Sequence, residues 1–192
     1  MRAQSQRSVG IAALGALAFG VGMSVLKGND GGAIRGAIGN LGAPWLLLAF
    51  ICGAWAGGGR VARGALVGVL VSFLALGAFY VANTFVLALG PHPWLVDLQL
   101  AFGNGYFFRF AALTGPLFGA LGARWRLTGS RTLGVLAAAL LVFEPLAWIA
   151  YFRGQGGVYT SDAPVWAAEV VVGLAACALV FWRAKPRRPP AS

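Results

Sequence analysis

Three charged side chains interrupt runs that are otherwise apolar: Arg109 in YFFRFAALTG, Glu144 in LLVFEPLAW and Glu169 in WAAEVVVGLA. A charge near the middle of a bilayer costs roughly 2.5–3.5 kcal/mol on insertion scales. Such residues therefore turn toward the protein interior or a watery cavity and find partners there. Glu144, Trp148 and Tyr151 recur at helical spacing and share one face. Glu169 shares a face with Gly173, which leaves room beside the carboxylate. Tyr80, Asn83 and Thr84 place hydroxyl and amide groups near the end of another apolar run. Brought to one depth, these eight side chains would line a polar pocket with aromatic walls, the usual form of a small-ligand site. Two carboxylates against one arginine leave it one charge negative when both ionise, and a desolvated glutamate can instead keep its proton. Either state suits a cationic or hydrogen-bonding solute. The same residues admit a structural reading, an Arg–Glu pair that holds helices in register. Pro145 serves both readings: it frees a carbonyl near residue 141 and kinks the helix, and broken backbone at membrane depth is tolerated where it lines a cavity.

Other chemistries find no foothold. No HExxH and no GxSxG occurs. The lone histidine, His92, lies between two prolines, away from the charged set. Cys52 and Cys177 sit in apolar runs without neighbouring Cys or His, which marks them as small buried hydrophobes and not as a metal site or a disulfide framework. The expectation is no enzyme, no metal and no cofactor.

The elements that must position these residues are membrane helices. The chain of 192 residues is 59% hydrophobic and 10% charged, with mean hydropathy +0.77, where soluble domains carry about 25% charged residues. A spanning helix takes about 17–25 residues. Six candidates follow, at about 9–26, 43–57, 63–89, 106–123, 132–152 and 164–182, within a single domain of residues 1–183. Pro44 suits the first turn of the second span. The third exceeds a bare span, which predicts tilt or protrusion. Asp162 or Ser161 is placed to cap the last. The fold class expected is an all-α, polytopic, six-helix membrane protein.

Net charge of +10 does not point to nucleic acid, because the basic residues cluster between apolar runs, where anionic headgroups are their partners. Arg2, Arg7, Arg60, Arg63, Arg124, Arg126, Arg131, Arg183, Lys185, Arg187 and Arg188 fall on one side, eleven in all, against Lys27, Arg35 and Arg153 on the other. The positive-inside rule then places both termini in the cytoplasm, with a basic, proline-rich cytoplasmic tail over 184–192. At ~1.5 Å per residue, Arg109, Glu144 and Glu169 all fall in the outer half of the membrane. Ala16-Leu17-Ala18 would pass as a signal-peptide cleavage motif, but apolar residues continue to Leu26, so an uncleaved helix is expected. Of the outer loops, residues 27–42 hold six glycines, permitting tight turns or close backbone approach as readily as a plain loop. The loop GPHPWLVDLQLAFGNG sets Trp94, Leu95, Leu98 and Phe102 on one face, a short interfacial helix or lid.

The first span carries a ladder of small residues, Ser8, Ala12, Ala16, Gly20 and Ser24, one every fourth position. Such stripes let helices approach closely in lipid, either within this bundle or against another membrane subunit. The segments NLGAPWLLLAFICGAWA, GPLFGALGARWR and WAAEVVVGLA, with the surroundings of Tyr80 and Glu144, resemble a family of small six-helix membrane proteins of unknown function from GC-rich Gram-positive bacteria. That resemblance covers most of the chain and implies the architecture without an activity. The length, the six helices and the AxxxA spacing of Ala12 and Ala16, extended by Gly20, also resemble the S components of energy-coupling-factor vitamin transporters. This second resemblance implies a solute site open to the outside and a first helix that docks on a transport module through Ala12, Ala16, Gly20 and Ser24.

Two functions are therefore expected of a multi-pass protein in the bacterial cell membrane. One is a small-solute-binding or transport subunit using Tyr80, Asn83, Thr84, Arg109, Glu144, Trp148, Tyr151 and Glu169. The other is a scaffold or accessory subunit whose charges are structural.

Overall fold

The computed structural model describes residues 2–28, 33–39, 41–86, 105–154 and 162–183. Among them every regular element is helical: α1 (Arg2–Lys27), α2 (Ala33–Gly39), α3 (Ala43–Ala56), α4 (Val61–Val86), α5 (Tyr106–Thr128), α6 (Arg131–Gly154) and α7 (Ala163–Arg183). Five segments are long and apolar enough to cross a membrane: Gln6–Lys27, Ile34–Ala56, Val61–Asn83, Arg131–Tyr151 and Ala163–Trp182. α5 is of similar length but carries Arg109, Arg124 and Arg126. The large apolar side chains point outward: Leu66, Leu113, Val171 and Trp182 are among the most exposed, whereas the centre is built of alanine, glycine and valine. That inverted arrangement suits hydrocarbon as the surrounding solvent, since lipid tails are as apolar as leucine.

Several helices outrun their expected bounds. α1 begins at Arg2 and not near residue 9, and α5 continues to Thr128, past residue 123. Hydropathy marks only the stretch that lipid covers, while backbone hydrogen bonding carries helices into their polar flanks. The glycine-rich loop also contains a helix, α2, so the second span is a broken one, two helical pieces with Leu41 and Gly42 in neither. The expected helix around Trp94 and Leu98, His92 and the tail 184–192 lie outside the described residues.

Glycine decides how the core closes. α3, α4 and α5 each carry a GxxxG pair: Gly53 with Gly57, Gly64 with Gly68, and Gly115 with Gly119. These pairs meet one another. A Cβ on Gly119 would lie 2.2 Å from the Gly64 carbonyl oxygen, one on Gly68 2.0 Å from that of Gly115, and one on Gly53 2.2 Å from that of Gly119. No other residue allows backbones this close. α1 joins through its own small-residue ladder, with Ala16 fully buried and Gly20 against the Ala75 carbonyl. The stripe expected to dock on another subunit is therefore covered by the chain's own α4.

α6 and α7 pair chiefly with each other and form a hairpin that touches the α1, α3, α4, α5 core more sparingly, through α3, α2 and the end of α5. The α5–α6 turn is tight. Gly129 takes φ 62 and its N–H donates to the Trp125 carbonyl, a left-handed C-terminal cap that glycine adopts without a Cβ penalty. The Ser130 hydroxyl then accepts the Leu133 N–H at 3.4 Å to start α6.

Candidate functional site

The break in the second span creates an electrostatic demand. The first N–H groups of a helix have no partner within it, and in a bilayer no water supplies one. At α3 the N-cap is Gly42, which has no side chain to offer, and Pro44 in the first turn has no N–H to satisfy. Trp45 and Leu46 both donate to the Gly42 carbonyl, at 3.0 and 3.3 Å. The N–H groups of Gly42 and Ala43 remain.

Glu144 takes both. Gly42 N donates to Oε1 at 2.5 Å, and Ala43 N donates to Oε2. Trp148 Nε1, one turn along α6, donates to Oε1 at 3.3 Å. Two amides and an indole therefore engage the carboxylate, which also faces the positive end of the α3 dipole, a favourable place for an anion. Glycine at 42 is part of the fit, since a Cβ there would come within 3.2 Å of Oε1. Glu144, expected as a pocket wall, also acts as a clasp joining the α6–α7 hairpin to the core. Sequence reasoning missed it because its partners are backbone amides, which no residue type announces.

A second cap lies on the other side of α2. The Arg35 side chain turns back to donate from Nε to the Leu26 carbonyl at 3.1 Å and from Nη2 to that of Val25 at 2.9 Å. A cation at a helix C-terminus satisfies carbonyls that the helix leaves free. Gly28, with φ +59, closes α1 by donating to the Ser24 carbonyl at 3.0 Å.

Glu169 differs in kind. It lies inside the last apolar segment and is only 6% exposed. No donor among the described residues reaches either of its oxygens. Its polar neighbour is the Glu144 carboxylate. The room expected beside Gly173 is filled: a Cβ there would meet Val142 Cγ2 at 2.8 Å and Leu141 Cβ at 2.9 Å.

The eight expected site residues divide into two groups. Glu144, Trp148 and Glu169 stand together, and Tyr151 contacts Trp148 edge to face with ring centroids 6.1 Å apart. Tyr80 belongs elsewhere, stacked on Phe108 at 5.8 Å and edge-on to Phe79 at 5.4 Å. Asn83, one turn on, has a buried Oδ1 that no described donor reaches. The Thr84 side chain lies outside the described residues. Arg109 follows Phe108 on α5 and is exposed. Among the described residues it meets no carboxylate, since α5 packs on α3 and α4 and touches α6 only sparingly. Lys27, which was not among the expected residues, sits over the Phe79 ring at 5.7 Å. A groove of about 670 Å³ runs between α1 and α4, lined by Leu17, Val21, Phe73, Leu74, Gly77 and Val81 among others. Its lining is apolar and holds none of the expected site residues.

No protein-family model, curated protein or solved structure matches the chain. The class that fold and site define is an all-helical, multi-pass membrane protein with a broken second span and a buried carboxylate pair beside the break.

Proposed function

We propose that this is a small-solute-binding or transport subunit of the cell membrane, with six spans, both termini cytoplasmic and a site at the Glu144–Glu169 pair on the outer side. α5 is the sixth crossing in this reading, and the excess of basic residues at the Ser130 end supports the orientation. The observation that carries the proposal is Glu169, a buried carboxylate that no donor among the described residues reaches, beside a discontinuous helix. Intramembrane carboxylates are retained chiefly where they move ions, protons or substrates, and broken helices mark binding sites in many carriers. The likeness to S components supports a solute site, but docking through Ala12 and Ala16 is left out, because both are buried in the core that α1 forms with α3 and α4. Extraction of small molecules from the protein purified in mild detergent, followed by mass spectrometry, tests the proposal. A bound solute is expected in the wild type and lost in Glu169→Gln at unchanged elution and unfolding. A wild type free of solute, or equal occupancy in the variant, would reject it.

A scaffold reading draws support from one observation, the complete engagement of Glu144 by backbone and indole N–H groups. It expects Glu144→Gln to impair assembly while Glu169→Gln changes nothing.

A further inference from the structure

We infer that the Glu144–Glu169 pair is a proton-binding site, the proton being held on Glu169 and donated to Glu144. The inference deepens the proposed function by naming one ligand of the same site. It rests on that reading for the site's place alone, because a proton can bind there whether or not a solute does.

The two carboxyl groups have different tasks. Both oxygens of Glu144 accept N–H groups, from Gly42 and Trp148 on Oε1 and from Ala43 on Oε2. Such a group works as a carboxylate, because an ionised carboxyl is acceptor-only, and the α3 N-terminus favours its charge. Glu169 receives no donor among the described residues, and its neighbour is that same carboxylate. Two acceptors cannot hydrogen-bond, and two like charges in contact repel. One proton resolves both problems, turning the repulsion into an O–H···O bond.

The charged groups on the surrounding elements offer no substitute. On α6, Arg131 lies at the far end of the helix over the Phe181 ring at 5.6 Å, and the Arg153 side chain lies outside the described residues. On α2, Arg35 is engaged with the end of α1, and α3 carries no charged residue. On α7 itself, Asp162 precedes the helix and repeats the negative sign. Space suits the ligand as well. Glu169 is almost fully buried and its Gly173 face is closed by Leu141 and Val142, and a proton, which needs no volume, fits on its carboxyl whether or not a solute stands on the Glu144 side. A metal cation would need a shell of several oxygens, and no group of three His, Cys, Asp or Glu is found among the described residues. Loss of the proton would set two charges face to face at the joint between the hairpin and α3.

The test exploits the fact that Glu144 and Glu169 are the only two glutamates in the chain. Full-length protein carrying ¹³C-carboxyl glutamate is reconstituted in phospholipid vesicles and its infrared spectrum recorded at neutral pH in sodium and in sodium-free buffer. The expected result is an isotope-shifted carbonyl band of a protonated carboxylic acid in both buffers, lost completely in Glu169→Gln. Glu169→Asp, with label in aspartate, regains an acid band and serves as the second variant should the glutamine form misfold. A wild type without the band, or a band that persists in Glu169→Gln, overturns the inference. A band that appears only when sodium is withdrawn also overturns it and assigns the position to a metal cation. A wild type that shows the band but yields no solute removes the transport reading alone.

Discussion

Replacing Glu144 by alanine removes the acceptor of the Gly42 and Ala43 N–H groups and leaves the α3 N-terminus uncapped. Hydrogen bonds to charged groups contribute about 1.5–3 kcal/mol each, so two lost amide bonds amount to roughly 3–6 kcal/mol. The macrodipole interaction adds ~0.3–1 kcal/mol, and more where the site is partly buried. The Trp148 indole is more exposed and can turn to another acceptor, so its bond is left out. Glutamine keeps one neutral carbonyl oxygen, worth about 0.5–1.5 kcal/mol per bond, so Glu144→Gln should lose about half as much as Glu144→Ala. Unfolding in mixed dodecylmaltoside–dodecyl sulfate micelles provides the measurement, read by tryptophan fluorescence. Trp45 makes a good reporter, lying one turn past the clasp between the rings of Phe19 and Phe79, at 5.1 and 5.6 Å. Amide hydrogen exchange of the segment 41–46 should rise in parallel. If Glu144→Ala unfolds within ~0.5 kcal/mol of the wild type, the scatter of neutral substitutions, and the segment keeps its protection, the clasp carries no energy and the reasoning fails.

Three further outcomes follow from the packing and orientation. Gly20→Ala drives a Cβ to 2.1 Å from the Ala75 carbonyl oxygen and should destabilise by about 1–3 kcal/mol through overpacking; Gly15→Ala meets nothing within 4 Å and should be neutral or up to ~1 kcal/mol stabilising, both read in the same micelle titration. Gly119→Ala drives a Cβ to 2.2 Å from the Gly64 carbonyl oxygen and 2.8 Å from the Gly68 Cα, on two successive turns of α4, and should exceed the Gly20→Ala effect, with loss of monodisperse elution as the visible sign. With Cys52 and Cys177 replaced by alanine, Ser130→Cys should react with a membrane-impermeant maleimide only in inside-out vesicles and Asp162→Cys only in intact cells; the opposite pattern would reverse the proposed orientation.

Much of the architecture could be read from hydropathy, because the membrane imposes a length and a composition on each span. The broken second span was harder. Its first piece, Ala33–Gly39, holds two glycines in seven residues within a glycine-rich stretch that reads as loop, and the helix is tied by Arg35 reaching back to α1. The GxxxG pairs were visible as letters, but nothing local says that Gly64 meets Gly119 or that Gly53 does so from another side. Partner choice lies in the three-dimensional crossing of α3, α4 and α5. The site shows the same limit. Depth along a helix placed Arg109, Glu144 and Glu169 in one layer, yet depth says nothing of azimuth. Arg109 proved to belong to a different quarter of the bundle. The α1 stripe was legible as an interface, and only the fold reveals that α4 fills it.

The hairpin's sparse seam has a mechanical corollary. α6 and α7 meet the rest of the bundle at the Gly129–Ser130 turn, at the Glu144 clasp and in a light contact between α7 and α2. The glycine-locked core has no slack to give, since its backbones are already in contact. Relative movement of the two parts of this molecule therefore concentrates at the hairpin's seam, and the Glu144–Glu169 pair sits on that seam.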